Sequence, residues 1–188
     1  MKNPIEEFLK IIDSIYGLFL DSTQGFHNNI EKLKAGQSIS VRTLKISIEQ
    51  QDKHAMIYGK GNPNDKDSYE LHRCTQGELK NRNEKNGKNT SLIGNLCLCQ
   101  IYNYWEDYFR EEIALYLEIK KNELLSDIFG DLRFYRQSII HKRGLAIKEV
   151  EKCKILNWYK HNDTIKIDEH NFEEIIYQLK IYLRGIKK

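Results

Sequence analysis

The chain has 188 residues, of which 40% are hydrophobic and 30% charged. That balance suits one soluble domain, or one domain with a sizeable insertion, and excludes a composition too polar to bury a core. The net charge of +3 is too small to define a partner, and no apolar run reaches the roughly 18 residues that a membrane-spanning helix needs.

Two prolines stand against a large supply of Leu, Ile, Lys and Glu, which favours helices over a turn-rich β fold. The first segment, MKNPIEEFLK, carries acids where a signal peptide would carry a long apolar stretch, so a cytoplasmic protein is expected. Asn3 is a good helix cap, Pro4 fits the first helical position, and Glu6 and Glu7 complement the helix dipole. Ile5, Phe8, Leu9, Ile12, Ile15, Tyr16 and Phe19 recur at helical spacing. The pattern continues through Phe26, Ile30 and Leu33, and Gly36 is the expected stop, with a bend near Gly25.

The following stretch, SISVRTLKISIEQQDKHAMIYGKG, fits two readings. Val41, Leu44, Ile48 and Ala55 match a helix, whereas Leu44, Ile46 and Ile48 match a strand. Gln, Glu and Lys in its second half favour the helix, with Gly59 and Gly61 ending it. Residues 60–90 read as a polar, loop-rich insertion within a single domain spanning 1–188, because they hold too few apolar residues for a core of their own. Within it, Thr75 and Glu78 form a capping-box pattern for a short helix near 76–84.

A second long helix is expected from Ser91 to about Lys121. Its stripe of Ile93, Leu96, Cys97, Tyr104, Trp105, Tyr108 and Ala114 reads as core, and Glu106, Asp107, Glu111 and Glu112 as the solvated face. Ile128, Leu132, Tyr135 and Ile139 then mark the apolar stripe of a further helix that stops at Gly144. The segments KILNWYK and TIKI flank HND as a short hairpin or an irregular link. Asn171 and Glu174 resemble a capping box for a last helix lined by Phe172, Ile175, Ile176, Leu179, Tyr182 and Leu183. The expected fold is all-α, an antiparallel bundle of four to five helices.

Cys74, Cys97, Cys99 and Cys153 read as reduced thiols. Cys97 and Cys99, two apart on a helix, point roughly 160° away from each other, which is poor geometry for a shared metal. His72 and Cys74 form a weak ligand-like pair, and no metal or other cofactor is expected.

The segment YRQSIIHKRG, residues 135–144, puts Arg136 and His141 five positions apart at the end of the helix that Gly144 closes. On an ideal helix the two side chains stand about 140° apart, so one helix does not converge them on a small ligand unless it unwinds or two chains pool their pairs. RQSIIH resembles the Arg-x4-6-His motif of HEPN domains (higher eukaryotes and prokaryotes nucleotide-binding domains), and HKRG resembles the His-Asn-x-Gly continuation found in many of them. The polar link and closing helix in NDTIKIDEHNFEEIIYQLKIYL look similar too. The resemblance covers roughly residues 90 to 188 and, in general shape, the first helix. Gln137 stands where these domains often carry Asn, Asp or His, and Lys142 where they often carry Asn.

The resemblance implies a metal-independent endoribonuclease whose arginine and histidine meet the matching pair across a homodimer. In that chemistry a ribose 2′-OH attacks the adjacent phosphorus and expels the 5′-oxygen. Histidine is the side-chain type suited to proton transfer near neutrality, the role implied for His141. Arg136 would offer bidentate donors to the phosphorane oxygens. Gln137 would orient His141 or a phosphate oxygen, and Arg133, Lys142 and Arg143 would contact phosphates along the RNA. DNA lacks the 2′-OH and is not an expected substrate. A toxin or phage-defence role, with an antitoxin or defence-system partner, follows from the resemblance alone. Two other classes fit the same residues: a non-catalytic HEPN module that binds RNA or a nucleotide, and a helical protein-interaction domain that uses residues 60–90.

Overall fold

In the computed structural model, residues 3–62 and 65–187 are described. Met1 and Lys2 of the first segment, and Pro63 and Asn64 of the turn expected after residue 60, lie outside them. The chain is mostly helical, with α1 (Pro4–Leu44), α2 (Ile48–Asp52), β1 (Ala55–Lys60), β2 (Tyr69–Thr75), α3 (Gln76–Asn83), α4 (Lys88–Tyr104), α5 (Arg110–Tyr116), α6 (Asp127–His141) and α7 (Glu169–Gly185). A wide π-helical turn, Trp105–Phe109, joins α4 to α5, and a 3₁₀ turn spans Lys148–Lys152. Among the described residues, no helix is long and apolar enough to cross a membrane.

The chain divides into two compact units, one of residues 1–22 and 91–188 and the other of residues 23–90. In the smaller unit, α1 runs on past Gly36, the expected stop, to Leu44, and Lys45 at φ 55° breaks it. Gln37 explains the continuation. It is buried and donates to Asp52 at 2.7 Å and Gln76 at 2.9 Å, so tertiary hydrogen bonds hold the helix beyond the glycine. Lys80 donates to Asp52 at 2.7 Å, and Gln51 donates to the Gln37 carbonyl at 3.2 Å, which completes a largely polar centre.

The helix expected through residue 59 is instead the short α2 followed by a strand, so the all-α expectation gives way to a mainly helical fold with one hairpin. Ser47 and Gln50 form a reciprocal capping box that starts α2. β1 pairs antiparallel with β2 from Ala55↔Thr75 to Lys60↔Tyr69, with a bulge between Tyr58 and Gly59. A Cβ at Gly59 would stand 2.6 Å from the Tyr69 carbonyl oxygen, so this glycine marks a close strand approach and not a helix end. The hairpin was illegible because nearly all its residues are exposed, leaving no alternating apolar face. Residues 60–90 are accordingly structured by β2 and α3, and the Thr75–Glu78 capping box forms as expected.

In the larger unit, Ile101, Trp105, Phe109 and Ile113 are all essentially buried at a spacing of four. On a straight α-helix that spacing drifts about 40° per step. The wide turn adds a residue without adding a turn and takes most of the drift back. The expected inner stripe shifts as a result: Trp105 is buried, whereas Tyr104 and Tyr108 are exposed. Trp105 stacks on Phe129 of α6 with centroids 3.9 Å apart, and Phe8 of α1 stacks on Phe109 at 4.5 Å. Phe172, Ile175, Leu179 and Leu183 of α7 complete this core. Asp168, and not Asn171, caps α7, accepting the Asn171 N–H at 2.9 Å.

The link between α6 and α7 is irregular, with one antiparallel bridge, Leu145↔Thr164. Buried Asp131 anchors it by accepting the backbone N–H groups of Lys154, Ile155 and Leu156 at 2.7 to 3.1 Å. Tyr135 donates to the Leu156 carbonyl. On the other side Asn95 of α4 bonds the backbone of Ile165 and Ile167, each at 3.3 Å.

Candidate functional site

His141 occupies the last turn of α6 and is exposed. The helix ends there because Arg143 and Gly144 adopt positive φ (54° and 86°), a conformation glycine takes without strain. The Lys142 and Gly144 N–H groups both return to the Ser138 carbonyl, at 3.0 and 3.1 Å. The Ser138 hydroxyl donates to the Phe134 carbonyl at 2.8 Å and accepts the Ile147 N–H at 3.1 Å. Ser138, fully buried, thus pins the chain that leaves the helix.

That chain and the link before α7 wall a cleft of about 560 Å³ lined by His141, Lys142, Arg143, Lys148, Glu149 and His161, among others. His161 is brought there by tertiary pairing. The Asn162 N–H donates to the Ala146 carbonyl at 2.9 Å, the Ala146 N–H to Asp163 at 2.8 Å, and the His161 N–H to the Glu151 carboxylate at 3.1 Å. His161, twenty residues from His141, carries no sequence signal of this proximity.

The structure separates the other candidate residues. Arg136 does not line the His141 cleft. It is half-buried on the side facing α4, close enough to Cys99 and Tyr102 to act on both electrostatically, and its Nε is buried with no hydrogen-bond partner among the described residues. Gln137 is half-buried beside it. Lys142 and Arg143 share the cleft with His141, but Arg133 lies elsewhere, its guanidinium 5.0 Å from the Phe134 ring centroid. Arg133 lines a second cleft with Glu106 and Arg110, so Glu106 does not face His141.

The thiols suit packing better than chemistry. Burial pushes Cys97 and Cys99 up to about 11 and Cys153 up to about 12. His72 pairs with Arg82 at 2.7 Å. Among the described residues, no group of three or more His, Cys, Asp and Glu is placed to hold a metal ion. In comparisons with known proteins, no family model, curated protein or solved structure matches the chain.

Proposed function

We propose that the protein is a HEPN-like, metal-independent endoribonuclease that acts as a homodimer. The observation that carries this reading is the end of α6, where His141 stands exposed in a cleft lined by Lys142, Arg143 and Lys148, five residues after Arg136. A basic cleft attracts a phosphodiester strand, and an exposed imidazole in it meets the need for proton transfer. The separation of Arg136 from that cleft within one protomer agrees with a composite site, in which arginine and histidine of two chains are pooled.

In the proposed reaction the 2′-oxygen forms a bond to phosphorus while the bond from phosphorus to the 5′-oxygen breaks. One imidazole takes the 2′-OH proton, and an acid returns a proton to the leaving oxygen. His141 performs one of these transfers, and His161, on the same cleft, is the residue we assign to the other. The guanidinium of Arg136 stabilises the charge that grows on the phosphorane oxygens. Gln137 orients the groups around it, and Lys142 and Arg143 hold flanking phosphates. A toxin or phage-defence role with a neutralising partner fits this activity.

The test is cleavage of a mixed RNA pool in excess EDTA by wild type and His141→Ala. Cleavage by wild type alone, leaving 2′,3′-cyclic phosphate and 5′-OH ends, is the expected result. Equal cleavage by both proteins would overturn the assignment of His141. The altered company of the motif, Gln137 and Lys142 where HEPN domains often carry other residues, favours a second reading, a module that binds RNA without cutting it. Retention of RNA on a filter by a wild type that leaves it intact would select that reading.

A further inference from the structure

The cleft around the wide turn is a different site. About 320 Å³ in volume, it is lined by Tyr102, Glu106 and Arg110 from one side and by Leu124, Leu125, Ser126, Gly130 and Arg133 from the other. Buried Trp105 and Phe129, stacked on each other, form its floor. The π-helical turn creates it: the extra residue rotates Glu106 and Arg110 relative to a straight helix, and such turns concentrate at ligand sites.

The charge in this cleft is unbalanced. Glu106 is the carboxylate there, and it is shared. Arg110 approaches it at 3.2 Å and Lys121 at 3.9 Å, while Arg133 makes no ion pair with it. The Arg110 Nε is buried with no hydrogen-bond partner among the described residues. A buried donor of this kind is costly until an acceptor reaches it. The Tyr102 hydroxyl lies in the field of Glu106 on one side and of Arg133, Arg136 and Arg110 on the other. Ser126 caps the N-terminus of α6, so the positive end of that helix dipole adds to the same wall.

We infer that this cleft binds a small phosphomonoester, with the phosphoryl oxygens on Arg110 and Arg133 and within reach of the Tyr102 hydroxyl, and with Glu106 accepting from a hydroxyl of the ligand. Forked guanidinium donors match phosphoryl oxygens in geometry as well as charge. The volume is at the small end for ligand sites, which suits a compact monoester over a length of strand. The inference does not depend on the ribonuclease reading.

Isothermal titration calorimetry of the full chain tests it, with inorganic phosphate, glycerol 3-phosphate, glycerol, and a DNA hexamer, which lacks the 2′-OH needed for cleavage, with and without a 5′-phosphate. The expected result is saturable binding of glycerol 3-phosphate and phosphate but not glycerol. Arg133→Gln and Arg110→Gln should weaken it about tenfold or more, and Lys32→Gln, an exposed residue outside both clefts, should leave it unchanged. Binding confined to the 5′-phosphorylated hexamer, with the same arginine dependence, would support the site and assign it to a strand end. No saturable binding of any phosphorylated probe at millimolar concentration, or wild-type affinity in Arg133→Gln, would overturn it. Arg133 is exposed, so its variant decides the matter even if Arg110→Gln fails to fold.

Discussion

The hydroxyl of Ser138 accepts the backbone N–H of Ile147 at 3.1 Å, across the helix end that carries His141. This contact and the two N–H groups returning to the Ser138 carbonyl hold the post-helix chain against α6. Ser138→Ala leaves the Ile147 N–H without its acceptor. The expected loss is about 1 to 3 kcal/mol in urea denaturation, together, on the proposed ribonuclease reading, with slower RNA cleavage although Arg136 and His141 are intact. An unchanged midpoint would show that the contact contributes nothing.

Arg136 should behave in the opposite way. Its buried Nε has no hydrogen-bond partner among the described residues, so Arg136→Gln removes a donor that they leave unpaired. We expect a melting temperature equal to or above that of the wild type and, on the proposed ribonuclease reading, cleavage reduced by about 10²-fold or more. A fall in melting temperature matching the loss of cleavage would make the residue structural.

Gly94 sets the position of the link that carries His161. A Cβ there would stand 2.2 Å from the Ile167 carbonyl oxygen, which is backbone and has little room to yield. Gly94→Ala should destabilise by about 1 to 3 kcal/mol and displace the segment bonded to Asn95. Thermal unfolding and the protection of the Ile165 and Ile167 amides from hydrogen exchange would register both effects.

The buried thiols give stability an alkaline limit. Cys97 and Cys99 titrate near 11 in the folded chain against an ordinary value of 9.0, and Cys153 near 12. Their raised values mean that the unfolded chain loses these protons first. Stability is therefore undiminished by them below about pH 9 and falls as pH rises from there through about 11 to 12, at up to about 1.4 kcal/mol per pH unit for each thiol. Urea midpoints measured between pH 8 and 10.5 should fall with pH, and less steeply in Cys97→Ala and Cys99→Ala. Equal slopes would assign the fall to other groups.

An acid limit arises in the smaller unit. Hydrogen bonds from Lys80 and Gln37 hold the Asp52 carboxyl below its usual value of 3.8. The stability it contributes is present above that value and is lost as pH falls through the lower folded one. Asp52→Asn should flatten the acid side of the stability curve, read by urea denaturation between pH 6 and pH 3. A curve parallel to wild type would show that the pair is solvated without consequence.

Much of this protein was legible from local chemistry. The Asn3 and Pro4 start of α1, the Thr75–Glu78 box, the stripe of Ile128, Leu132 and Tyr135, and the glycine stop at Gly144 each follow from caps or periodicity acting within a few residues. The Arg136–His141 spacing, and with it the expectation that one helix could not converge the pair, was readable for the same reason. Tertiary structure decided the rest. Gln37 carries α1 past Gly36 through hydrogen bonds to residues 15 and 39 positions away, and the wide turn at Trp105 trades one helical register for another so that four large side chains stay buried. His161 shares a cleft with His141 only through backbone pairing across the link, and Arg110 shares one with Arg133 only because α6 packs where it does. Sequence periodicity records which face of an element is apolar; it does not record which distant element that face will meet.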